Sequence, residues 1–257
     1  MLNGKVVLIS GASSGIGALA AKQLARRGAI VVLTGRNVEK LKAHVAEIGS
    51  NSSYFQMDVT SMEDVQQVIQ SVVQKHGRLD ILINNAGYGQ FEYFETMPVE
   101  AFDQMMDTNY MGIVRCTKAV LPYMLSQGSG HIVNIASLAG KIGSAKSTAY
   151  TATKHAVLGF TNSLRMELRG KGIVVSAVNP GPIDTPFFSL ADPSGNYVKN
   201  VSFFMMKPDY VVKAIVRLIE RRKAEINLPK SAAFGIKLYQ LFPRLIDRVF
   251  GGMLDRK

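Results

Sequence analysis

The sequence predicts an α/β fold, a single domain in which helices cover both faces of a doubly wound, mostly parallel sheet of about seven strands. Short β-branched runs alternate along the chain with longer stretches in which apolar residues recur at helical spacing. Glycine or small polar residues follow directly on the first, fourth and fifth of these runs. Because parallel strands are joined by crossovers of about a dozen residues or more, usually helices, this alternation favours parallel pairing.

Length and composition support one globular domain. A chain of 257 residues can bury a sizeable core without dividing into separate units. Hydrophobic residues make up 47% of the chain and charged residues 19%, which is typical of a globular protein and excludes an intrinsically disordered one. The single cysteine, Cys116, has no partner for an internal disulfide, and the four histidines lack the spacing of metal ligands, so we predict no metal site.

The positive charge is concentrated towards the C-terminus. The formal net charge is +11, and residues 207–257 hold 12 Lys and Arg against 5 Asp and Glu. The clustered basic and aromatic residues of a nucleic-acid reader are missing, so we predict no nucleic-acid partner. The N-terminal apolar run is too short for a secretion signal, and no run approaches the ~18 residues of a membrane span. We therefore expect a cytoplasmic protein.

Each predicted element has a local pattern behind it. Short β-branched runs that end in glycine, proline or polar residues predict strands, and apolar residues spaced three or four apart predict helices. The predicted strands span Lys5–Ile9, Ile30–Thr34, Tyr54–Met57, Leu79–Ile83, Gly130–Ala136, Ile173–Val178 and Glu225–Leu228. The first predicted helix runs through Arg27, and the others span Val38–Ile48, Met62–His76, Val99–Leu125, Ala149–Arg169 and Pro208–Arg222.

A glycine-rich turn joins the first predicted strand to the first predicted helix. Gly11, Gly15 and Gly17 give this turn the spacing G-x-x-x-G-x-G. Glycines there permit a tight turn and let backbone amides approach a pyrophosphate at the positive end of the helix. Alone the triplet is a weak signal, with a plain structural turn as the alternative. Its place between a strand and a helix favours a dinucleotide-binding, Rossmann-type fold.

The tip of the second predicted strand carries Gly35-Arg36-Asn37. In a dinucleotide-binding fold this tip meets the adenosine ribose, where a carboxylate selects the 2′-hydroxyl of NAD and a guanidinium binds the 2′-phosphate of NADP. The tip holds an arginine and no carboxylate, so the sequence predicts NADP(H). The alternative is that Arg36 is a surface charge at the start of the next helix.

Four polar residues suit proton transfer. Tyr150 and Lys154 are four apart in a predicted helix, hence on one face and about 6 Å apart along its axis. A nearby ammonium favours the phenolate and is expected to move the pKa of the tyrosine down from ~10. Asn109 stands in the middle of a predicted helix, where asparagine needs a hydrogen-bond partner. Ser137 ends the fifth predicted strand, at the sheet edge where ligands bind.

Taken together, these motifs resemble the short-chain dehydrogenase/reductase family over roughly residues 4–230. The matching elements occur in family order as Gly11-x-x-x-Gly15-x-Gly17, Asp58, Asn84-Asn85-Ala86-Gly87, Asn109, Ser137, Tyr150-x-x-x-Lys154 and Asn179-Pro180-Gly181. The chain departs from the pattern at Ser10, where the family often has threonine, but the hydroxyl group is kept.

The resemblance implies hydride transfer between a nicotinamide and an alcohol or carbonyl compound. It implies that Tyr150 gives or takes the substrate proton, that Lys154 lowers the pKa of the tyrosine and holds the nicotinamide ribose, and that Ser137 binds the carbonyl oxygen. Asn109 would position a water that links Lys154 to solvent. The implied cofactor-binding residues are Gly11, Ser13, Ser14, Gly15, Ile16, Gly17, Arg36, Asp58, Val59, Asn85, Ala86, Gly87, Tyr150, Lys154, Pro180, Gly181, Ile183 and Thr185.

Two stretches suggest an enclosed apolar ligand. Residues 183–207 lack a clear period but are rich in Phe, Leu and Met, which favours a lid over a hydrophobic ligand, with disorder as the alternative. After the fourth predicted strand come aromatic residues that suit either a pocket wall or core packing. These are Tyr88, Phe91, Tyr93 and Phe94.

Residues 231–257 are predicted to form a basic amphipathic extension of the domain made by residues 1–230. Apolar residues recur at helical spacing from Ala232 to Leu254, and Pro243 is expected to kink or divide the helix. The apolar positions are Leu238, Leu241, Phe242, Leu245, Val249 and Met253, with Lys237, Arg244 and Arg248 between them. The segment suits weak contact with an anionic membrane, a cover over the substrate cleft, or burial in a partner subunit.

The sequence as a whole predicts an NADP(H)-dependent oxidoreductase that interconverts an apolar secondary alcohol and its ketone, with Tyr150 as general acid and base. One alternative is a 3-oxoacyl-thioester reductase. Another is a catalytically silent, NADP-sensing or membrane-peripheral binding protein on the same fold. The presence of Ser137, Tyr150 and Lys154 together favours an enzyme. We expect a homodimer or homotetramer.

Overall fold

The computed structural model describes residues 2–193 and 195–244. Its strands are β1 (Val6–Ile9), β2 (Ile30–Gly35), β3 (Ser52–Gln56), β4 (Ile81–Asn84), β5 (Gly130–Ile135), β6 (Ile173–Pro180) and β7 (Glu225–Leu228). Its helices are α1 (Gly15–Ala25), α2 (Val38–Ile48), α3 (Met62–His76), α4 (Val99–Met106), α5 (Gly112–Ser126), α6 (Thr148–Glu167), α7 (Phe187–Ala191), α8 (Asn196–Val201), α9 (Pro208–Glu220) and α10 (Lys230–Leu241). Leu245, Arg248, Val249, Met253 and Leu254 of the predicted C-terminal helix lie outside the described residues.

The strands form one sheet in the order β3-β2-β1-β4-β5-β6-β7, and every neighbouring pair is parallel. Val7 of β1 pairs with Val31 on one side and with Ile81 on the other. The chain builds the sheet outwards from β1 to β3, then returns to build the other half from β4. This reversal leaves a crevice at the carboxyl ends of β1 and β4, where ligands bind in such sheets. The predicted doubly wound α/β fold is confirmed.

Each face of the sheet packs against its own layer of helices. Val7 and Ile9 point into one core, which also holds buried residues of α1 and α9. Val6 and Leu8 point into the other, with buried residues of α3, α5 and α6. Because successive side chains of a strand point to opposite faces, an uninterrupted apolar strand such as β1 needs a helix layer on both sides. The two layers cover the faces of the sheet and leave the ends of the strands open.

The helices α2 and α3 have the bounds predicted from the sequence, because neighbouring residues fix their ends. The Asn37 side chain accepts a hydrogen bond from the Lys40 amide at the start of α2. Ser61 likewise accepts one from the Asp64 amide at the start of α3, and Gly77 ends α3 with a φ of 70°. These are the usual N-cap and C-cap residues of helices, and all are readable from the sequence.

The predicted helix Val99–Leu125 is interrupted in its middle. Between α4 and α5, residues Asp107–Met111 form a π-helical turn, in which backbone hydrogen bonds reach five residues back instead of four. Asn109 lies in this turn and is buried. Single π turns within helices are frequent at functional sites.

Residues 183–207, here called the lid, fold into α7, α8 and a 3₁₀ turn at Ser202–Phe204. Their two ends are tied together by a parallel bridge between Ile183 and Met206. The Asp184 amide donates to the Met206 carbonyl at 3.0 Å, and the Met206 amide donates to the Pro182 carbonyl at 2.9 Å. The lid is therefore a compact excursion that leaves β6 and returns before α9.

Candidate functional site

A cleft of about 1650 Å³ opens at the carboxyl ends of the central strands. Among the residues predicted to act in catalysis or to bind the cofactor, only Gly17 and Asn109 do not line it. The predicted residues that line it are Gly11, Ser13, Ser14, Gly15, Ile16, Arg36, Asp58, Val59, Asn85, Ala86, Gly87, Ser137, Tyr150, Lys154, Pro180, Gly181, Ile183 and Thr185. The fold thus brings together motifs that are spread over most of the chain.

The glycine turn after β1 is pressed against the end of β4. Gly11 has a φ of +64°, and a Cβ atom there would lie 2.6 Å from Cα of Ala86. A Cβ on Gly17 would lie 2.6 Å from Nδ2 of Asn85, which donates to the Ser10 and Gly11 carbonyls at 3.1 and 3.0 Å. The Ser10 hydroxyl accepts from the amides of Asn85 and Ala86 at 3.0 and 3.1 Å. Serine therefore provides the oxygen that this contact needs in place of threonine.

The start of α1 suits the pyrophosphate of a dinucleotide. Ser14 caps the helix without a side-chain hydrogen bond, and the first turn of α1 holds no acidic residue. Gly15 has a φ of +56° and lines the cleft with Ser13 and Ile16. The positive end of the helix is thus directed at the cleft without a carboxylate to offset it, which favours a bound anion.

The tips of β2 and β3 form the far end of the cleft. Arg36 is exposed there, and Lys40 lines the same end. Asp58 accepts hydrogen bonds from the amide and hydroxyl of Thr60 at 2.9 and 2.8 Å. Burial raises the pKa of Asp58, but the bonds from Thr60 and the charges of Arg36 and Arg115 outweigh it, so that its pKa lies below the ordinary value. Lys40 was not among the predicted residues, although its place in the first turn of α2, four residues after Arg36, can be read from the sequence.

Ser137 and Tyr150 meet where β5 ends beside α6. Both side chains line the cleft, and Ser137 is close enough to Tyr150 to lower the pKa of its phenol. Ser137 also donates to the Pro180 carbonyl at 3.2 Å and accepts from the Ala139 amide at 3.1 Å. Burial raises the pKa of Tyr150 above its ordinary value, and the neighbouring Ser137 side chain lowers it by less. The phenol therefore holds its proton at neutral pH in this structure.

Lys154 lies beside Tyr150, as its spacing predicts, but its ammonium group is hydrogen-bonded to a backbone carbonyl. Its Nζ atom donates to the Ile135 carbonyl at 3.0 Å and lies over the Tyr150 ring, 5.6 Å from the ring centre. The predicted fall in the pKa of Tyr150 is therefore wrong for this structure, since burial of the phenol dominates. Burial also lowers the pKa of Lys154 itself to about 8.

Asn109 has the hydrogen-bond partners that its position in a helix requires. Its amide donates to the Tyr88 carbonyl at 2.8 Å and to the Thr153 hydroxyl at 3.1 Å, and its carbonyl accepts from the Tyr88 amide at 2.9 Å. A Cβ atom on Gly87 would lie 3.0 Å from Oδ1 of Asn109 and 3.8 Å from Nζ of Lys154. Asn109 thus joins the end of β4 to α6 directly behind the cleft, and its role in holding a water stays a prediction.

The part of the cleft beyond Tyr150 is mostly apolar, although Ser144, Ser147 and Ser189 also line the cleft. Its aromatic and aliphatic lining residues are Tyr88, Phe91, Ile142, Phe187, Phe188, Leu190, Tyr197, Val201, Phe203, Phe204, Ile236 and Tyr239. The rings of Phe91 and Phe187 lie 5.8 and 5.7 Å from that of Tyr150, centre to centre. Tyr93 and Phe94 do not line the cleft and are 50% and 72% exposed, because a surface turn begins at Tyr93. The lid supplies much of this wall.

The described part of the C-terminal segment covers the cleft, one of the three roles that the sequence left open. Ala232, Ile236 and Tyr239 of α10 line the cleft. Gln240 donates to the Lys141 carbonyl at 2.9 Å and so ties the end of the helix to the loop after β5. Helical spacing relates Ile236 and Tyr239, but the sequence shows no sign of which surface that face contacts.

Within residues 2–193 and 195–244, no group of three His, Cys, Asp or Glu residues is placed to hold a metal ion. Over the same residues, no helix has the length and apolar character needed to cross a bilayer. Cys116 is buried and free, and burial raises the pKa of its thiol to about 12. It is a small side chain of the core.

We expect Lys154→Met to stabilise the cofactor-free protein by about 2 kcal/mol at pH 7. Burial lowers the pKa of Lys154 from 10.5 to about 8, so at neutral pH folding buries a charge that the unfolded chain keeps in water. Methionine removes that cost and gives up the hydrogen bond to Ile135. Between these pKa values the folded state binds fewer protons than the unfolded state, so the wild type gains stability as pH rises and the advantage of the variant shrinks towards pH 10.

Urea unfolding of the two proteins at both pH values measures this difference. Lys118→Met is the matched control, because it removes the same charge from an exposed position on α5. A variant less stable than the wild type at pH 7, or an equal gain at both pH values, would contradict the expectation.

Known proteins share this fold and these motifs. A family profile described as short chain dehydrogenase matches residues 5–193. An oxidoreductase of Staphylococcus haemolyticus (strain JCSC1435) is 40% identical over 88% of this chain and 95% of its own. The 3-ketoacyl-(acyl-carrier-protein) reductase of Brucella melitensis, solved with NADH, has a TM-score of 0.81 and 30% identity over 88% of this chain and 95% of that one. The closed form of a serine dehydrogenase, solved with NADP+, has a TM-score of 0.79 and 32% identity over 86% and 92%.

Proposed function

The chain belongs to the short chain dehydrogenase family and is an oxidoreductase of that family, and from that premise we propose that it uses NADP(H) to interconvert an apolar secondary alcohol and its ketone. The observation that carries the proposal is that Ser137 and Tyr150 line the cleft side by side at the junction of two kinds of surface. On one side lie the glycine turn and the start of α1, and on the other lies an aromatic wall.

Tyr150 gives a proton to the carbonyl oxygen in reduction and takes it back in oxidation. Its raised pKa keeps the phenol protonated at neutral pH, which suits the acid role in reduction. Ser137 is within hydrogen-bond reach of the same position and holds the oxygen there. When bound, the nicotinamide supplies or accepts the hydride at the carbon atom. The alcohol and ketone are thus related by one hydride and one proton.

Lys154 and Asn109 support this centre in different ways. Lys154 brings a buried ammonium to the floor of the cleft, where it suits the hydroxyl groups of a ribose. Asn109 acts as a positioning residue, because its amide fixes the backbone of Tyr88 and the hydroxyl of Thr153. A water held beside it remains part of the proposal.

The choice of NADP(H) rests on the far end of the cleft. Arg36 and Lys40 place two positive charges there, and the carboxylate of Asp58 is occupied by two hydrogen bonds from Thr60. A 2′-phosphate would offset those charges, whereas a 2′-hydroxyl would not. The two structural neighbours carry different nicotinamide cofactors, so the support for NADP(H) over NAD(H) comes from Arg36, Lys40 and Asp58 of this chain.

A second candidate is reduction of a 3-oxoacyl thioester, which the likeness to a 3-ketoacyl reductase favours. Among the described residues, however, the cations that line the cleft are Arg36, Lys40 and Lys154, and none of them belongs to the lid or α10. The apolar wall therefore offers no charge to a phosphate-bearing carrier arm, and an uncharged ketone fits it better. A cytoplasmic homodimer or homotetramer is the form in which we propose that the enzyme works.

The direct test measures NADPH oxidation with four classes of substrate: steroid ketones, lipid aldehydes, small ketones and 3-oxoacyl thioesters. We expect the rate to be highest with uncharged apolar ketones. Turnover of 3-oxoacyl thioesters alone would select the second candidate. Tight NADPH binding with no turnover in any class would overturn the proposal in favour of an NADP-sensing protein.

A further inference from the structure

Helix α10 is apolar on two opposite faces. Its inner face lines the cleft through Ala232, Ile236 and Tyr239. Its outer face carries Phe234, Leu238 and Leu241, which are 71%, 44% and 71% exposed. A helix that is apolar all round is normally buried, and one that lies on a surface normally turns polar residues outwards. The outer face of α10 therefore exposes more apolar surface than an ordinary surface helix does.

The charges on the same face indicate which kind of surface it suits. Lys230 and Lys237 share the outer face with Phe234 and Leu238, because helical spacing aligns these positions. Residues 229–244 contain no Asp or Glu, and Arg244 adds a further positive charge after the helix. An apolar stripe flanked by lysines matches an anionic lipid surface, where apolar side chains enter the bilayer boundary and ammonium groups meet lipid phosphates.

A second copy of the chain suits this face less well. In a two-fold dimer the same patch faces itself, so the lysines of both copies would approach each other. No carboxylate from α10 is present to offset them, and like charges in an interface are costly. The charge pattern therefore favours lipid over self-association through α10.

The lid adds a second exposed apolar surface, at the mouth of the cleft. Leu190 and Phe203 both line the cleft, yet they are 72% and 85% exposed. Large apolar residues at the mouth of a cavity with an apolar interior wall suit the entry of an apolar ligand. An apolar rim of this kind marks an interaction site.

We propose that α10 and the lid dock the mouth of the cleft on an anionic lipid bilayer, and that the substrate is a long-chain ketone dissolved in that bilayer. The docking stands on the exposed faces alone, whereas the substrate class rests on the proposed function. In the reaction, the carbonyl carbon gains a hydride from NADPH and the oxygen gains a proton from Tyr150, which gives a secondary alcohol and NADP+.

The docking is tested by co-sedimentation of the full chain with vesicles of phosphatidylcholine, with and without phosphatidylglycerol. We expect binding to the anionic vesicles that weakens as salt is added. The double variant Phe234→Ser, Leu238→Ser should bind at least about 10-fold more weakly, because two apolar side chains that insert into the bilayer are lost. The matched control Val99→Ser, Met166→Ser removes two side chains that are each 70% exposed on α4 and α6, and should bind like the wild type.

The substrate class is tested with the same proteins. A water-soluble ketone should be reduced equally by the wild type and the Phe234→Ser, Leu238→Ser variant, which shows that the variant is folded. A long-chain ketone supplied in anionic vesicles should be reduced about 10-fold more slowly by the variant, in step with its weaker binding. Equal rates would overturn the bilayer route.

The outcomes also separate docking from the proposed chemistry. Equal partitioning of wild type and variant into anionic vesicles would overturn docking through α10. The wild type could instead fail to bind vesicles and form a dimer in sedimentation velocity that the variant does not form. That result would assign the outer face of α10 to a second copy of the chain and would also overturn docking on lipid. Vesicle binding without reduction of any ketone would leave docking in place and overturn the proposed function.

Discussion

Tyr150→Phe is expected to lower turnover by about 100-fold or more while NADPH binding stays nearly unchanged. The change keeps the ring, whose contacts with Phe91 and Phe187 therefore survive, and removes the hydroxyl that Ser137 meets. The carbonyl oxygen would then have no acid to protonate it in reduction, although Ser137 would still hold it. Steady-state turnover and NADPH fluorescence titration measure the two effects separately.

The matched control is Tyr110→Phe, which removes a phenol hydroxyl outside the cleft, from a ring that packs on Phe160. It should keep turnover within a few-fold of the wild type. If Tyr150→Phe kept full turnover, Tyr150 would not be the proton donor. If it lost NADPH binding as well, the phenol would be needed mainly for the shape of the cofactor site.

Arg36→Ala is expected to weaken NADPH binding by about 10- to 100-fold and to leave NADH binding nearly unchanged. With NADPH, the variant loses the charge-assisted hydrogen bonds from the Arg36 guanidinium to the 2′-phosphate. NADH has no 2′-phosphate, so its binding loses no such bond. Arg36 is exposed at the tip of β2, so the change should not unfold the protein. Dissociation constants for both cofactors, measured at one salt concentration, give the preference.

Arg26→Ala is the matched control for charge, because it removes an exposed arginine that does not line the cleft. Its cofactor preference should equal that of the wild type. An unchanged ratio of NADPH to NADH affinity in Arg36→Ala would sink the assignment of Arg36, and Lys40 would be the next residue to change.

The fold was predictable where neighbouring residues determine the structure. The ends of α2 and α3 follow from their caps, which are local features of the sequence. The strand β3 begins at Ser52, two residues before the predicted start, because Ser52 and Ser53 pair with Val31 and Val32 of β2. Serine has little preference for strands, so only this distant partner makes the two residues part of the sheet.

Site residues that belong to a sequence motif could be predicted, whereas interactions that depend on the packing of the folded chain could not. The spacing of Tyr150 and Lys154 correctly puts both in one cleft. It does not reveal that the ammonium turns to the Ile135 carbonyl or that burial raises the pKa of the phenol. The contribution of α10 was open for the same reason, because its contact with the cleft joins segments far apart in sequence. Long-range packing leaves no local pattern to read.

The wide turn at Asp107–Met111 makes the length of this helical run a property of the site. Each residue of an α-helix advances it by about 100°, and a π turn holds one residue more than an α turn. Deleting one residue would restore regular helical bonding, but it would rotate α4 against α5 and carry the Asn109 amide away from Tyr88 and Thr153. Among variants of this protein, insertions and deletions should therefore be much rarer within this helical run than in surface loops.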